Sequence, residues 1–526
     1  MLKGVEFPIE LCYNSFNAFI LEDLMSRIVT ICIVIAVYVI FMLVIGILNS
    51  KSSKSINDFT VGKRNAGAWI SALSYGTSYF SAVMFVGYAG SAGWSYGLWA
   101  TLVGIGNAVI GTLLAWLVLA KRTREITTRL GTTSMPQFFD ARYNSRAMKL
   151  FVCVVIFIFL LPYSASVYNG LASVCSVLLG IDDTVCMIII AVAAASILFL
   201  GGYIGMLKAD FFQGLVMFVG VISLIVMFMI SPKVGGFGEG IGKMTEYMKS
   251  SGMAPLDSKA AISLTAMILM TSFGTWGLPQ MIHKYYAIKD ESAVKRGMIV
   301  STVFALVVGG GGYFIGSFSH LFFNENLGDK TVPSMLAESG LPDVLLGVIL
   351  MLLISASVST LTSITLTACT TLSMDLVKDR IKKDIDEEKL GIFTRILCLA
   401  FVIASFVIAT TKTPILDMMS YSWGILAGSF LVPYALALYF KKINKIGAWA
   451  GMIGGFVCAA PPLFAKLFAP GLDAPFGLGK LAAQGTVFAC VAILVSLILC
   501  VSVSLITGAL KLKGTEINEK FYGKEN

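Results

Sequence analysis

The residues best suited to chemistry lie in one stretch, ISASVSTLTSITLTACTTLSMDL, from Ile354 to Leu376. Between Ser355 and Ser373 eleven of nineteen residues are Ser or Thr, yet the stretch prolongs the apolar run LLGVILMLL and continues a bilayer-crossing helix. Hydrocarbon offers a hydroxyl no partner, and burying a polar group unpaired costs roughly 1–3 kcal/mol. Some of these hydroxyls bond back to carbonyls one turn earlier and permit close helix packing. Their density exceeds what those two uses require. Ser355, Ser359, Thr362 and Ser363 share one helix face at i, i+4, i+7 and i+8, with Thr360 beside it. Neutral oxygens gathered at membrane depth can replace the water around a hard monovalent cation. The chemistry expected of this face is the holding of sodium.

Two further features would position such a site. The run ISALSYGTSYFSAVMFVGYAGSAGWSYG carries Gly76, Gly87, Gly90 and Gly93, and MILMTSFGTWGLPQMIHKYY carries Gly274, Gly277 and Pro279 at its middle. Pro removes a helix hydrogen bond and Gly weakens the helix, so each run is expected to break. Broken backbone at membrane depth needs protein or a wet cavity to receive the freed groups. Two such breaks, five helices apart, are the pattern of an inverted-repeat transporter with its site at the midplane. Asp210, in GGYIGMLKADFFQGLVMF, has two readings. It is either an interfacial acid paired with Lys208 or capping its helix, or an ion ligand facing a wet interior.

The elements carrying these residues are membrane helices. Of 526 residues 57% are hydrophobic and 13% charged, with mean hydropathy +0.85, whereas a soluble domain carries about 25% charged residues. A span needs ~20 apolar residues. Thirteen segments qualify: about 28–48, 66–93, 97–120, 147–178, 186–200, 205–230, 261–284, 297–323, 342–376, 391–411, 415–439, 446–468 and 483–509. The first is too long for a signal peptide, follows Glu22 and Asp23, and precedes no small-residue cleavage site.

Loops after odd-numbered segments are rich in Lys and Arg, as in KRTREITTRL, HKYYAIKDESAVKRG and DLVKDRIKKDIDEEK; those after even-numbered segments are poorer, as in GIDDT. By the positive-inside rule the N-terminus lies outside and the C-terminus in the cytoplasm. The loop at about 231–260 fits less well, because Lys233, Lys243, Lys249 and Lys259 fall on its expected outer side. No composition shift divides the chain. An extracellular segment 1–27, one transmembrane domain 28–509 and a cytoplasmic tail 510–526 are expected, in an all-α multi-pass protein of the cell membrane.

Other chemistry falls away. His283 and His320 sit in different segments, which argues against a His triad or a zinc site, and no nucleophile–base pair suggests an enzyme. The net charge of +9 resides in particular loops and gives no reason to expect nucleic acid; no obligate protein partner is evident. Gly309–Gly312 lacks the Lys-Ser/Thr of a phosphate loop and reads as a close-packing device. Most cysteines lie in apolar runs, while Cys175 and Cys186 flank one short loop and could pair if it faces outside.

The succession RNAGAWISALSYGTSYFSAVMFVGYAG, GGYIGMLKADFFQG, WGLPQMI and STLTSITLTACTTLSMDL resembles the sodium/solute symporter family over roughly residues 30–440. The resemblance implies a leucine-transporter-type inverted repeat of five plus five helices, about 66–230 and 261–439, with two broken helices. It implies a first sodium on the carbonyls of Thr77, Phe80 and Ala356 and the hydroxyls of Ser359 and Thr360. It also implies, as in members resembling sialic acid symporters, a second sodium on Asp210, Ser359, Thr362 and Ser363.

Pocket positions implied by the same comparison are Tyr79, Ser81, Met84, Tyr163, Thr271, Thr275 and Trp276. Tyr79 replaces the Asp of the proline-transporting branch, and Thr271 and Thr275 replace its aromatics. The fourth segment lacks the Arg of sialic acid symporters, and Met84 replaces the sugar-binding Gln of the galactose branch. None of the three specificities is supported. A small carboxylate, amino acid or vitamin, moved inward with one or two sodium ions by alternating access, is the expected cargo. The rival reading is a sodium-dependent receptor or channel-like protein on the same fold.

Overall fold

The computed structural model describes residues 64–381, 384–411, 413–468, 484–512, 514–515 and 519–522, with seven further positions between 29 and 44. Segment 1–27 and most of the expected first helix lie outside these residues. The seven positions are helical and exposed, and Phe41 meets Phe212 edge-on at 5.3 Å. Among the described residues the chain is helix and connecting turn, with a single isolated bridge between Ala66 and Ile288.

Both expected breaks are present. α1 (Ala68–Tyr79) stops at Phe80, whose backbone turns extended (φ −101°, ψ 97°). The helix restarts after Ser81, whose hydroxyl accepts the Val83 N–H at 3.3 Å. It runs through a wide turn, Met84–Tyr88, into α2 (Ala89–Tyr96), and ends at Gly97 with φ +55°, a conformation open to glycine. The second break lies between α8 (Ser258–Phe273) and α9 (Pro279–Tyr286): Gly274–Gly277 tightens to a 3₁₀ turn and Leu278 is extended. Pro279 at the first turn of α9 loses no hydrogen bond, since that N–H has no partner in any helix.

Between the breaks run α3 (Thr101–Gly106, continuing through wide turns Asn107–Leu114 and Trp116–Ala120 into Lys121–Leu130), α4 (Met135–Tyr143), α5 (Arg146–Leu179), α6 (Asp183–Met229) and α7 (Phe237–Ser250). Beyond them run α10 (Glu291–Gly316), α11 (Asp343–Thr371), α12 (Glu387–Ala409), α13 (Ile415–Tyr439), α14 (Lys445–Ala459) and α15 (Gly485–Ala509). Side-chain caps start several of them: Ser134, Ser145, Asp182, Asp257, Asp290 and Asn444 each accept a backbone N–H of the first turn. The cap from Ala293 holds the Asp290 carboxyl below the usual carboxylate range.

Among the described residues ten helices are long and apolar enough to cross a membrane. Of the first expected segment only those seven positions are described. The second and third are separated only by the turn at Gly97, and the fifth and sixth lie on one run of helical backbone, Asp183–Met229. The stretch AAASILFLGGYIG between those two holds no Pro and no charge, so its Gly201–Gly202 pair alone does not open the hydrogen-bond ladder. Cys175 and Cys186 are free thiols.

The Gly309–Gly312 run of α10 does act as a packing device. A Cβ on Gly309 would come within 2.7 Å of the Phe80 ring, and one on Gly104 within 2.5 Å of the Gly310 Cα. α10 therefore lies directly against the first broken helix and α3. α11 packs on α5, α6 and α1, which places its hydroxyl-rich face at the centre of the bundle.

Loops after odd-numbered segments meet one another. Arg64 donates to the Thr132 carbonyl (2.6 Å), Arg124 to those of Ile288 (3.0 Å) and Lys289 (2.6 Å), and Arg142 to that of Ile443 (2.9 Å). Phe521 of the tail is buried against Phe138 at this end. Loops after even-numbered segments also meet: His320 bonds the Trp94 carbonyl (2.8 Å) and the Tyr247 hydroxyl (3.1 Å). The 231–260 loop, discordant by charge, belongs to this second group. Lys233 pairs there with Glu338, and Lys243 with Glu239.

Candidate functional site

The five positions of the first sodium set fall on two elements that touch. Thr77 sits in the last turn of α1 and Phe80 at its break; Ala356, Ser359 and Thr360 lie along α11. The Thr360 hydroxyl is 3.1 Å from the Thr77 carbonyl and 3.0 Å from the Ala356 carbonyl. The Ser359 hydroxyl is 2.9 Å from that of Thr77. All these side chains are buried. Every oxygen here is neutral, the donor set a hard monovalent cation accepts.

Asp210 is fully buried within α6, while its neighbour Lys208 is exposed. One carboxylate oxygen accepts the Ser359 hydroxyl at 2.6 Å. The other accepts the Ser74 hydroxyl and the ammonium of Lys284 at 3.1 Å. Lys284 also donates to Ser74 at 2.8 Å and is itself buried, on α9 just past the second break. Of the remaining second-set positions, Thr362 bonds back to the Ser359 carbonyl (2.9 Å) and Ser363 is buried on the same helix. Ser74 and Lys284 are absent from the sequence-level site. Lys284 gave no signal there, because it stands at the start of the Lys- and Arg-rich stretch HKYYAIKDESAVKRG and reads as one of that loop's charges.

The seven pocket positions divide. Tyr79 stacks on Phe80 (4.2 Å), donates to the Thr271 carbonyl (2.7 Å) and lies 6.3 Å from the ring of Trp423. Tyr163 meets the same Trp423 edge-on at 5.5 Å, its hydroxyl 3.5 Å from the Ser78 carbonyl. Thr271 bonds Asn107 (2.8 Å), Thr275 donates to the Gly111 carbonyl (3.4 Å), and the Trp276 indole donates to the Ile110 carbonyl (3.1 Å). These three thus fasten α8 to the wide turn of α3. Trp276 also lines an apolar cavity of about 340 Å³ with Phe273, Leu431 and Cys490. Ser81 caps the restarted helix, and Met84 faces Gly312 of α10.

Trp423 of α13, missed in the sequence, joins Tyr79 to Tyr163. Its indole N–H and the Ser78 hydroxyl are buried without a protein hydrogen-bond partner.

A hydroxyl-rich face of α11 is thus set against the broken α1, with the second broken helix beside it. The sodium:solute symporter family model matches residues 59–455. The chain belongs to the sodium:solute symporter family. The high-affinity proline transporter PutP of Bacillus subtilis is 28% identical over 432 residues, 79% of this chain and 88% of that protein. The sodium/proline symporter of Escherichia coli is 25% identical over 443 residues, 81% and 86% of the two chains. A solved structure of a sodium-coupled sialic acid symporter in a substrate-bound outward-open state covers 91% of this chain and 98% of its own, with TM-score 0.70 and 17% identity. The fold is the inverted-repeat transporter fold. As a member of this family the protein is a transporter and not an enzyme: it couples sodium to the movement of a small organic solute across a membrane by alternating access.

Proposed function

We propose that the coupling sodium binds the carbonyls of Thr77, Phe80 and Ala356 and the hydroxyls of Ser359 and Thr360. The convergence of the Thr360 hydroxyl with two of those carbonyls carries the reading. The site bridges α1 and α11, so an ion there ties the broken helix to the bundle and its release frees the two to separate. One sodium moving down 100 mV supplies about 2.3 kcal/mol, and a tenfold gradient adds about 1.4 kcal/mol. That suffices for roughly a 500-fold gradient of a neutral or zwitterionic solute.

The solute is a small carboxylate or amino acid, held among Tyr79, Tyr163, Trp423 and Ser78. An indole N–H buried without an acceptor is costly, and a carboxylate oxygen would satisfy it. The proline carried by the named relatives falls in this class. Of the seven pocket positions, Thr271, Thr275, Trp276, Ser81 and Met84 shape the walls behind this group. The test is a thermal-shift and uptake screen of amino acids, monocarboxylates, vitamins and sugars, with sodium and with choline. A carboxylate should stabilise the protein only with sodium, and Trp423→Phe should weaken it about tenfold or more, since a bond to a charged group contributes about 1.5–3 kcal/mol. A sugar as the sole sodium-dependent ligand would sink the solute assignment.

The Arg-rich end of the bundle is cytoplasmic, with repeats at about 66–230 and 261–439 inside one membrane domain of the cell membrane. Cysteines placed at 181–183 should react with impermeant thiol reagents from outside sealed cells, and those at 384–388 should not. The reverse pattern would invert the protein.

A further inference from the structure

The Asp210 site already contains a cation that belongs to the chain. Lys284 brings its ammonium within 3.1 Å of the carboxylate and 2.8 Å of the Ser74 hydroxyl, while Ser359 holds the other carboxylate oxygen at 2.6 Å. Three elements thus satisfy Asp210: α1 through Ser74, α9 through Lys284 and α11 through Ser359. Both charged groups are buried, and they sum to zero. A sodium entering the set Asp210, Ser359, Thr362 and Ser363 would have to displace this tethered ammonium and strand it, unpaired, at membrane depth. The first sodium set has no such occupant. It shares Ser359 with the Asp210 site, whose hydroxyl lies between the carboxylate and Thr77.

We propose that Lys284 is the resident cation of the Asp210 site and thereby limits this symporter to one coupling sodium. Lys284 stands where a second ion would stand, neutralising Asp210 and fixing the α1, α9 and α11 groups around it. Stoichiometry in this chain is then set by a side chain on the second broken helix. The inference rests on the first sodium set being the functional one, and its test separates the two.

The experiment counts sodium bound to the purified full-length protein, using radiolabelled sodium and a sodium titration of thermal stability with choline held as the balancing ion. The wild type should bind one sodium with a Hill coefficient of one. Lys284→Gln removes the resident charge but leaves Asp210 ionised. It should bind two, with the Hill coefficient rising toward two, while Lys284→Arg should keep one. Lys284→Gln combined with Asp210→Asn should return to one, and its neutral pair relieves the stranded carboxylate if the single variant folds poorly. Two sodium ions on the wild type, or one on a folded Lys284→Gln, would overturn the proposal. Failure of the first set is distinguishable: Thr360→Ala would then leave wild-type sodium binding unchanged, irrespective of what Lys284→Gln does.

Discussion

Two buried lysine–aspartate pairs flank the hydroxyl-rich helix, and they differ in what surrounds them. At the centre, Lys284 has one acid, Asp210, and its other neighbours in the cluster are hydroxyls. At the Arg-rich end, Lys149 of α5 lies between two acids, Asp375 at 3.2 Å and the half-exposed Asp379. Asp375 also accepts the Ser134 hydroxyl (2.5 Å) and the Gln137 amide (2.8 Å) of the α4 region. The end pair is over-supplied with partners and open to water through Asp379, so it acts as a clasp between α4, α5 and the turn following α11. The central pair has no spare acid. A cluster of that kind holds one cation, here the ammonium of Lys284, whereas the end cluster is suited to holding helices together.

That contrast can be broken by experiment. The largest effect is expected at the centre: Asp210→Asn leaves Lys284 buried without a countercharge. Breaking a buried pair from one side costs about 3–5 kcal/mol. Thermal unfolding in detergent should show the loss, and Lys284→Met on the same background should recover much of it. A silent Asp210→Asn would mean that the two charges are not coupled. A smaller effect is expected for Asp375→Asn, because Lys149 retains Asp379 and the new amide can still accept from Ser134. A lost charge-assisted bond is worth about 1.5–3 kcal/mol, and the visible consequence should be faster labelling of a cysteine placed at Thr133 as the clasp loosens. Destabilisation equal to that of Asp210→Asn would erase the distinction between the pairs. The smallest change belongs to Asp379→Asn, whose carboxylate is half-exposed. An exposed pair contributes under about 1 kcal/mol, so unfolding should shift little, and a large shift would make Asp379 the principal partner of Lys149.

The amino-acid sequence by itself determined the features that are local. The Ser/Thr density of 355–373 marks a helix needing polar company, and Gly274, Gly277 and Pro279 break the span at the place where the backbone breaks. Thr360 bonds back to the Ala356 carbonyl, a contact set by helix spacing alone. The partner of Asp210 was not legible. Lys208 was the lysine near in sequence, and the choice of Lys284 depends on α9 restarting beside α1 after the second break. Trp423 was hidden in the same way, on a span buried along nearly its whole length, where only the packing of α13 on α1 and α5 says which face meets Tyr79 and Tyr163. Tertiary structure decided these points because a buried charge or ring is placed by whichever helices converge on it, and convergence is not a property of any one segment.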